Sequence, residues 1–166
     1  RGFHSATVTV PTFEMTGRLL TDVFGMSEIG EEGTRTRLAF QNNGAPGGFL
    51  DVVVDSETPN YGLGAGIVHH IAFRARDIAH QLELREQVVE FGLQPTPPIN
   101  RDYFMSIYFR ESGGVLFEIA TDPPGMARDE PLDSLGDSLK LPSQHEHLRA
   151  RLEETLPPIP PEGEGV

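Results

Sequence analysis

Apolar residues fall in short runs separated by turn-forming clusters, and the runs switch between two periods along the chain. Residues 3–10 (FHSATVTV) are rich in β-branched side chains and stop at Pro11, which predicts a strand. Thr12 is placed to cap a helix whose apolar positions are Phe13, Leu19, Leu20, Val23 and Phe24, with Gly25 ending it. Residues 34–40 (TRTRLAF) alternate and 49–54 (FLDVVV) form another strand, with the turn cluster NNGAPGG between them. The pattern then starts again. A strand is predicted over 68–74 (VHHIAFR), and a helix over 78–91 with Asp77 as cap and Gly92 as stop. Two further strands, 102–109 and 115–120, are joined by an ESGG turn.

The second half repeats the first at an offset of 66 residues: His4 falls on His70, Arg35 on Arg101, Gly47-Gly48 on Gly113-Gly114 and Leu50 on Leu116. Each unit reads as strand, helix, then two or three strands. A βαβββ unit has an apolar sheet face that it cannot bury alone, so two units are expected to curl around a shared concavity. The expected fold class is α+β, with both units contributing to an open, barrel-like sheet. The units are expected at 1–61 and 67–122, with a Gly-rich linker at 62–66 and a tail at 123–166. No helix follows the linker glycines, so they do not form a phosphate loop. In the tail, 143–155 is read as a short amphipathic helix and LPPIPPEGEGV as extended or disordered, the whole wrapping across the outer surface.

Composition narrows the chemistry. The 166 residues carry 13 Lys+Arg against 25 Asp+Glu, a formal net charge of −12, so no basic stripe is available for nucleic acid or an anionic membrane surface. No apolar run approaches the roughly 18 residues needed to span a bilayer. Cysteine is absent, which excludes disulfides, thiolate nucleophiles and thiolate-bound metals. Any metal must be held by histidine and carboxylate. The lone lysine, Lys140, is poorly placed for Schiff-base chemistry. The chain opens on Arg1 rather than Met and is read as a piece of something longer, from an oxygen-using cytoplasmic protein.

The repeat singles out His4 and His70, equivalent positions on the first strand of each unit. Glu118 sits among apolar residues in GVLFEIAT, where an unpaired carboxylate costs several kcal/mol unless a cation or strong donors meet it. Two imidazoles and one carboxylate make the facial set suited to non-haem Fe(II), with Mn, Ni and Zn as alternatives. Offsetting Glu118 by 66 lands on Val52, and alternation points Asp51 to the opposite face. The site is therefore expected to have three protein ligands, leaving positions for a chelating substrate and O₂. Tyr108, across the hairpin from Glu118, could hydrogen-bond a substrate oxygen, and Arg101 could pair a phenolate. His69 alternates away from His70 and joins the site only if the strand end is irregular. The competing readings are hydrogen-bonded core histidines, a Glu118–Arg pair, an ordinary hairpin tyrosine and a solvated arginine. His145 and His147 diverge on a helix and are read as surface residues, as is His80.

HHIAF at 69–73, RDYFMSIYFRESGGVLFEIATDPPG at 101–125 and LPSQHEHLR at 141–149 resemble the vicinal oxygen chelate superfamily, which includes glyoxalase I, bleomycin-resistance proteins and extradiol dioxygenases. Within it, they are most similar to ring-cleaving dioxygenases acting on hydroquinones. The resemblance implies Fe(II) held by His4, His70 and Glu118, with His69, Arg101 and Tyr108 beside it. It also implies two departures. Such enzymes have four βαβββ units, and this chain resembles the carboxy-terminal two. Catechol-type members carry a further acid/base histidine before the HH strand, and no histidine lies between residues 5 and 68 here.

The expected function is thus an Fe(II)-dependent, extradiol-type dioxygenase that takes O₂ and a small aromatic substrate, a hydroquinone or related dihydroxy-aromatic. The chain is expected to pack against an amino-terminal half or form a homo-oligomer. A glyoxalase-type metal-dependent lyase or isomerase, and a non-catalytic module that binds an aromatic ligand, are the alternatives.

Overall fold

The structure is a computed structural model and describes residues 2–40, 45–57 and 64–158. Parts of the NNGAPGG cluster, the 61/62 boundary, the start of the linker and the end of the Pro-rich tail lie outside the described residues.

The first strand, β1 (Ser5–Val10), turns Val8 and Val10 inward and leaves Thr7 and Thr9 exposed. Helix α1 (Glu14–Arg18) runs into a wider π-helical turn, Leu19–Val23, that buries Leu19, Leu20 and Val23. The cap position is Phe13 and no side chain caps it, so Thr12 does not have the expected role. The Phe13 ring instead lies over Gly17, where a Cβ would collide with Phe13 Cε1. Strands β2 (Ser27–Glu32), β3 (Arg35–Ala39) and β4 (Phe49–Val54) complete the first sheet. Every residue of β2 is exposed and it pairs with β3 alone, so it carries no hydrophobic period to read.

The second unit repeats this plan with β5 (Ile71–Ala75), α2 (Ile78–Glu90), β6 (Ile99–Asn100), β7 (Met105–Arg110) and β8 (Leu116–Thr121). Asp77 caps α2 by accepting from the His80 amide at 2.8 Å. Gln81, fully buried on α2, donates to the Met105 and Ile119 carbonyls at 2.8 and 2.7 Å and pins the helix across β7 and β8. A 3₁₀ turn, Ser143–Leu148, leads into α3 (Arg149–Thr155), where Arg149 bridges Glu146 and Glu153.

The strand orders are β1-β4-β3-β2 and β5-β8-β7-β6. In each sheet the first strand runs parallel to the last, which pairs antiparallel with the third. The duplicated α+β architecture is as expected. The expected barrel-like sheet takes the form of two four-stranded sheets, not closed into a barrel. One apolar cluster joins the units: Val8, Val10, Leu38, Leu50 and Val52 from the first sheet meet Phe73, Ile107, Phe109, Phe117 and Ile119 from the second. The Phe24 and Phe73 rings stack at 4.0 Å across the join. Alternation turns the remaining positions of each sheet away from this core, and that open face carries the polar residues of interest.

Candidate functional site

On β8, Phe117 and Ile119 enter the core, so Glu118 points to the open face. It is directly opposite Tyr108 on β7 and level with Ala72 on β5. Only 3% of Glu118 is exposed, and among the described residues no arginine pairs with it. Ser106, two residues before Tyr108 on the same face, donates its hydroxyl to Glu118 Oε1. His70 Nε2 stands 2.7 Å from Oε2. The sequence reading missed Ser106; the signal available was its alternation with Tyr108.

His69 and His70 both precede the regular part of β5, and in that irregular lead-in their Nδ1 atoms come to 2.9 Å. Tyr108 sits edge-on to the His70 ring at 5.6 Å, and the Arg101 guanidinium lies 5.2 Å from the centre of the Tyr108 ring. Five of the six singled-out residues, His69, His70, Arg101, Tyr108 and Glu118, thus form one continuous group. His4 is not brought into it. It is exposed in the lead-in to β1, and its ring stacks on Phe49 at 5.0 Å. Among the described residues no three His, Asp or Glu side chains stand close enough together to hold a metal ion. His145 and His147 are exposed, with rings 6.5 Å apart.

The strand registers correct one expectation. Glu118 is the third residue of β8, and the third residue of β4 is Asp51 rather than Val52. Val52 enters the core with Leu50, whereas Asp51 lies on the open face and pairs in register with Arg37, as Glu118 does with Tyr108. The fixed offset failed because the connections between strands differ in length in the two units. The first unit therefore has a matching carboxylate, but it is occupied. Arg37 grips Asp51 through Nε at 2.7 Å and Nη2 at 2.9 Å, and Arg35 adds a bond at 2.7 Å. These arginines, Arg37 foremost, hold the Asp51 carboxyl below its ordinary range against the opposing effect of burial. The same contact raises the Arg37 guanidinium.

Glu118 and Asp51 therefore have opposite electrostatic surroundings. Asp51 is neutralised by two cations, whereas Glu118 is met by a hydroxyl and an imidazole. Both Glu118 oxygens are thus met, Oε1 by the Ser106 hydroxyl and Oε2 by the His70 imidazole, with no arginine or lysine beside them among the described residues. His70 Nε2 and Glu118 Oε2 converge as two donors fit for one metal ion.

A profile of the Glyoxalase/Bleomycin resistance protein/Dioxygenase superfamily matches residues 2–119. The chain belongs to this superfamily. Among superfamily relatives, it is 41% identical over 161 residues to a Bacillus subtilis (strain 168) protein named "Putative ring-cleaving dioxygenase MhqO", covering 96% of this chain and 50% of that protein. It is 37% identical over 159 residues to a chlorohydroquinone/hydroquinone 1,2-dioxygenase of Sphingobium indicum, covering 94% and 49%. A crystal structure of a Bacillus subtilis protein described as a "putative dioxygenase" superposes with a TM-score of 0.86 at 40% identity, covering 96% of this chain and 50% of that one. The chain spans about half the length of the curated relatives it matches. No helix among the described residues is long and apolar enough to cross a membrane.

Proposed function

We propose that this chain is the catalytic half of an Fe(II)-dependent dioxygenase that cleaves a hydroquinone or related dihydroxy-aromatic beside a hydroxyl group. The observation that carries this reading is the 2.7 Å convergence of His70 Nε2 and Glu118 Oε2, with Tyr108 and Arg101 alongside. The named activity of the Sphingobium relative supports the substrate class. His70 and Glu118 would fill two ligand positions, and the third would fall to His4, which this structure leaves outside their group; the donor set suits iron and is also acceptable to Mn, Ni or Zn. Bound there, iron supplies the electron transfer between an aromatic diol and O₂.

The chain's own residues orient substrate and place protons. Ser106 occupies Glu118 Oε1 and leaves Oε2 as the ligand atom. One proton is shared between the Nδ1 atoms of His69 and His70. With that proton on His70 Nδ1, its Nε2 presents a lone pair; with it on His69, His70 Nε2–H donates to Glu118. His69 thereby selects the ligating tautomer. The Tyr108 hydroxyl hydrogen-bonds a substrate oxygen and holds a proton there, while Arg101 supplies positive charge for the phenolate. The Asp51 ion pair disfavours the lyase alternative, since the carboxylate that would make a four-ligand site is taken.

Metal analysis of protein purified without oxygen tests this. Equimolar iron, lost in Glu118→Ala, together with O₂ consumption on adding hydroquinone, is the expected result. A metal-free wild type overturns it, and turnover without O₂ uptake would favour the lyase.

A further inference from the structure

The loop that delivers Arg101 is fastened from outside the sheet. No side-chain hydrogen bond holds the Arg101 guanidinium among the described residues; its contact is with the Tyr108 ring, and the backbone of residues 100–104 sets where its stem begins. That backbone makes an unusual turn. The Arg101 amide donates to the Phe104 carbonyl at 2.9 Å, and the Asp102 amide to Asn100 Oδ1 at 2.8 Å. Asp102 has φ of 66°, the one positive φ at a non-glycine among the described residues. Such a conformation persists in an L-residue when neighbouring contacts enforce it.

Those contacts come from the chain just after β8. Arg128 Nη1 donates to the Asp102 carbonyl at 2.6 Å and approaches Asp102 Oδ1 at 3.3 Å. The Tyr103 hydroxyl donates to Asp129 Oδ2 at 3.0 Å, and the Gly125 amide donates to the Tyr103 carbonyl at 2.9 Å. Residues 125–129 thus clasp two successive residues of the loop immediately beyond Arg101.

We infer that Arg128 and Asp129 are positioning residues: they lock the Asp102–Tyr103 turn and so hold the Arg101 guanidinium over Tyr108, where it receives the substrate's anionic oxygen. This rests on the role proposed above for Arg101. Among the described residues the side-chain hydrogen bonds of Arg128 and Asp129 go to Asp102 and Tyr103 rather than to the site, so each acts through the loop. The segment after the second sheet is then part of the specificity apparatus.

The test uses the metal-loaded full chain and two readouts. Amide hydrogen exchange at Arg101 and Asp102 is expected to quicken at least tenfold in Arg128→Ala, with β7 and β8 amides unchanged. Tyr103→Phe, which deletes only the hydroxyl contact with Asp129, should loosen the same amides. Unchanged exchange in both variants overturns the inference, whatever the enzyme's substrate proves to be. The second readout is a double-mutant cycle on kcat/KM for hydroquinone. Arg128→Ala is expected to lower it about tenfold, Arg128→Lys to recover part, and Arg101→Ala/Arg128→Ala to equal Arg101→Ala alone. Additive losses overturn it. If the wild type does not turn over hydroquinone, the functional proposal fails while hydrogen exchange still decides the positioning role.

Discussion

Glu118 and Asp51 are both nearly sealed from solvent, and what surrounds each decides what it can do. Ser106 supplies the protein donor to Glu118 Oε1, so Ser106→Ala leaves that oxygen buried and unpaired. A loss of about 1–3 kcal/mol in urea unfolding is expected, and an unchanged midpoint would refute the dependence. Asp51 makes a pH prediction. Its folded pKa is depressed, chiefly by the Arg37 hydrogen bonds, so its stabilisation is fully present above the usual carboxylate value of about 3.9 and is lost as pH falls through the lower folded value. Asp51→Asn should therefore cost about 1–2 kcal/mol at pH 7, discounted for the half-exposed arginines, and progressively less in acid. Unfolding curves at stepped pH check this; a gap that stays constant down to pH about 2 would contradict it. The buried Glu118 and its need for partners were legible from an acid amid apolar neighbours. Ser106 and the Asp51 pair were not, because a hydroxyl has no pattern of its own and the pair depends on strand register.

At the scale of elements, legibility followed the hydrophobic period. Strand β4 and helix α2 match expectation to within a residue because FLDVVV and the Asp77-to-Gly92 interval carry both pattern and punctuation. Strand β2 was invisible because SEIGEE is exposed throughout and held only by its ladder with β3. Strand β6, two residues long, was too short for any period. The histidine pair shows the same limit from the other side: alternation separates His69 from His70, and the late start of β5 lets their Nδ1 atoms meet. The Asp77 cap is open to a direct measurement. Asp77→Ala leaves the His80 amide without its acceptor and should cost about 1 kcal/mol, read as a lowered Tm with an unchanged fold by circular dichroism. Full retention of Tm would mean that the residue is not a working cap.

For the whole molecule, the decisive feature is the joint between the two units. The turn between β7 and β8 presses on the end of β1: a Cβ at Gly113 would lie 2.6 Å from Val10 Cγ1 and 2.8 Å from Glu111 Oε1. Beside it, Glu111 is buried and accepts from the Val115 amide at 2.9 Å and from Thr16 of α1 at 2.5 Å. An α-carbon substituent therefore forces the second unit's hairpin away from the first unit's strand. Gly113→Ala should cost about 1–3 kcal/mol through overpacking. If the shared core makes one cooperative body, the urea midpoint falls while the slope stays fixed. Two resolved transitions in the wild type would show that the units are independent. The joint also bears on the proposed metal, because His4 belongs to the first unit and His70 with Glu118 to the second. Spreading the joint alters the separation of the proposed ligands, whereas Asp77→Ala weakens α2 without touching that relation. Iron affinity should therefore fall further in Gly113→Ala than in an Asp77→Ala protein of comparable stability. Equal retention of iron by the two would remove His4 from the ligand set and leave the metal to the second unit alone.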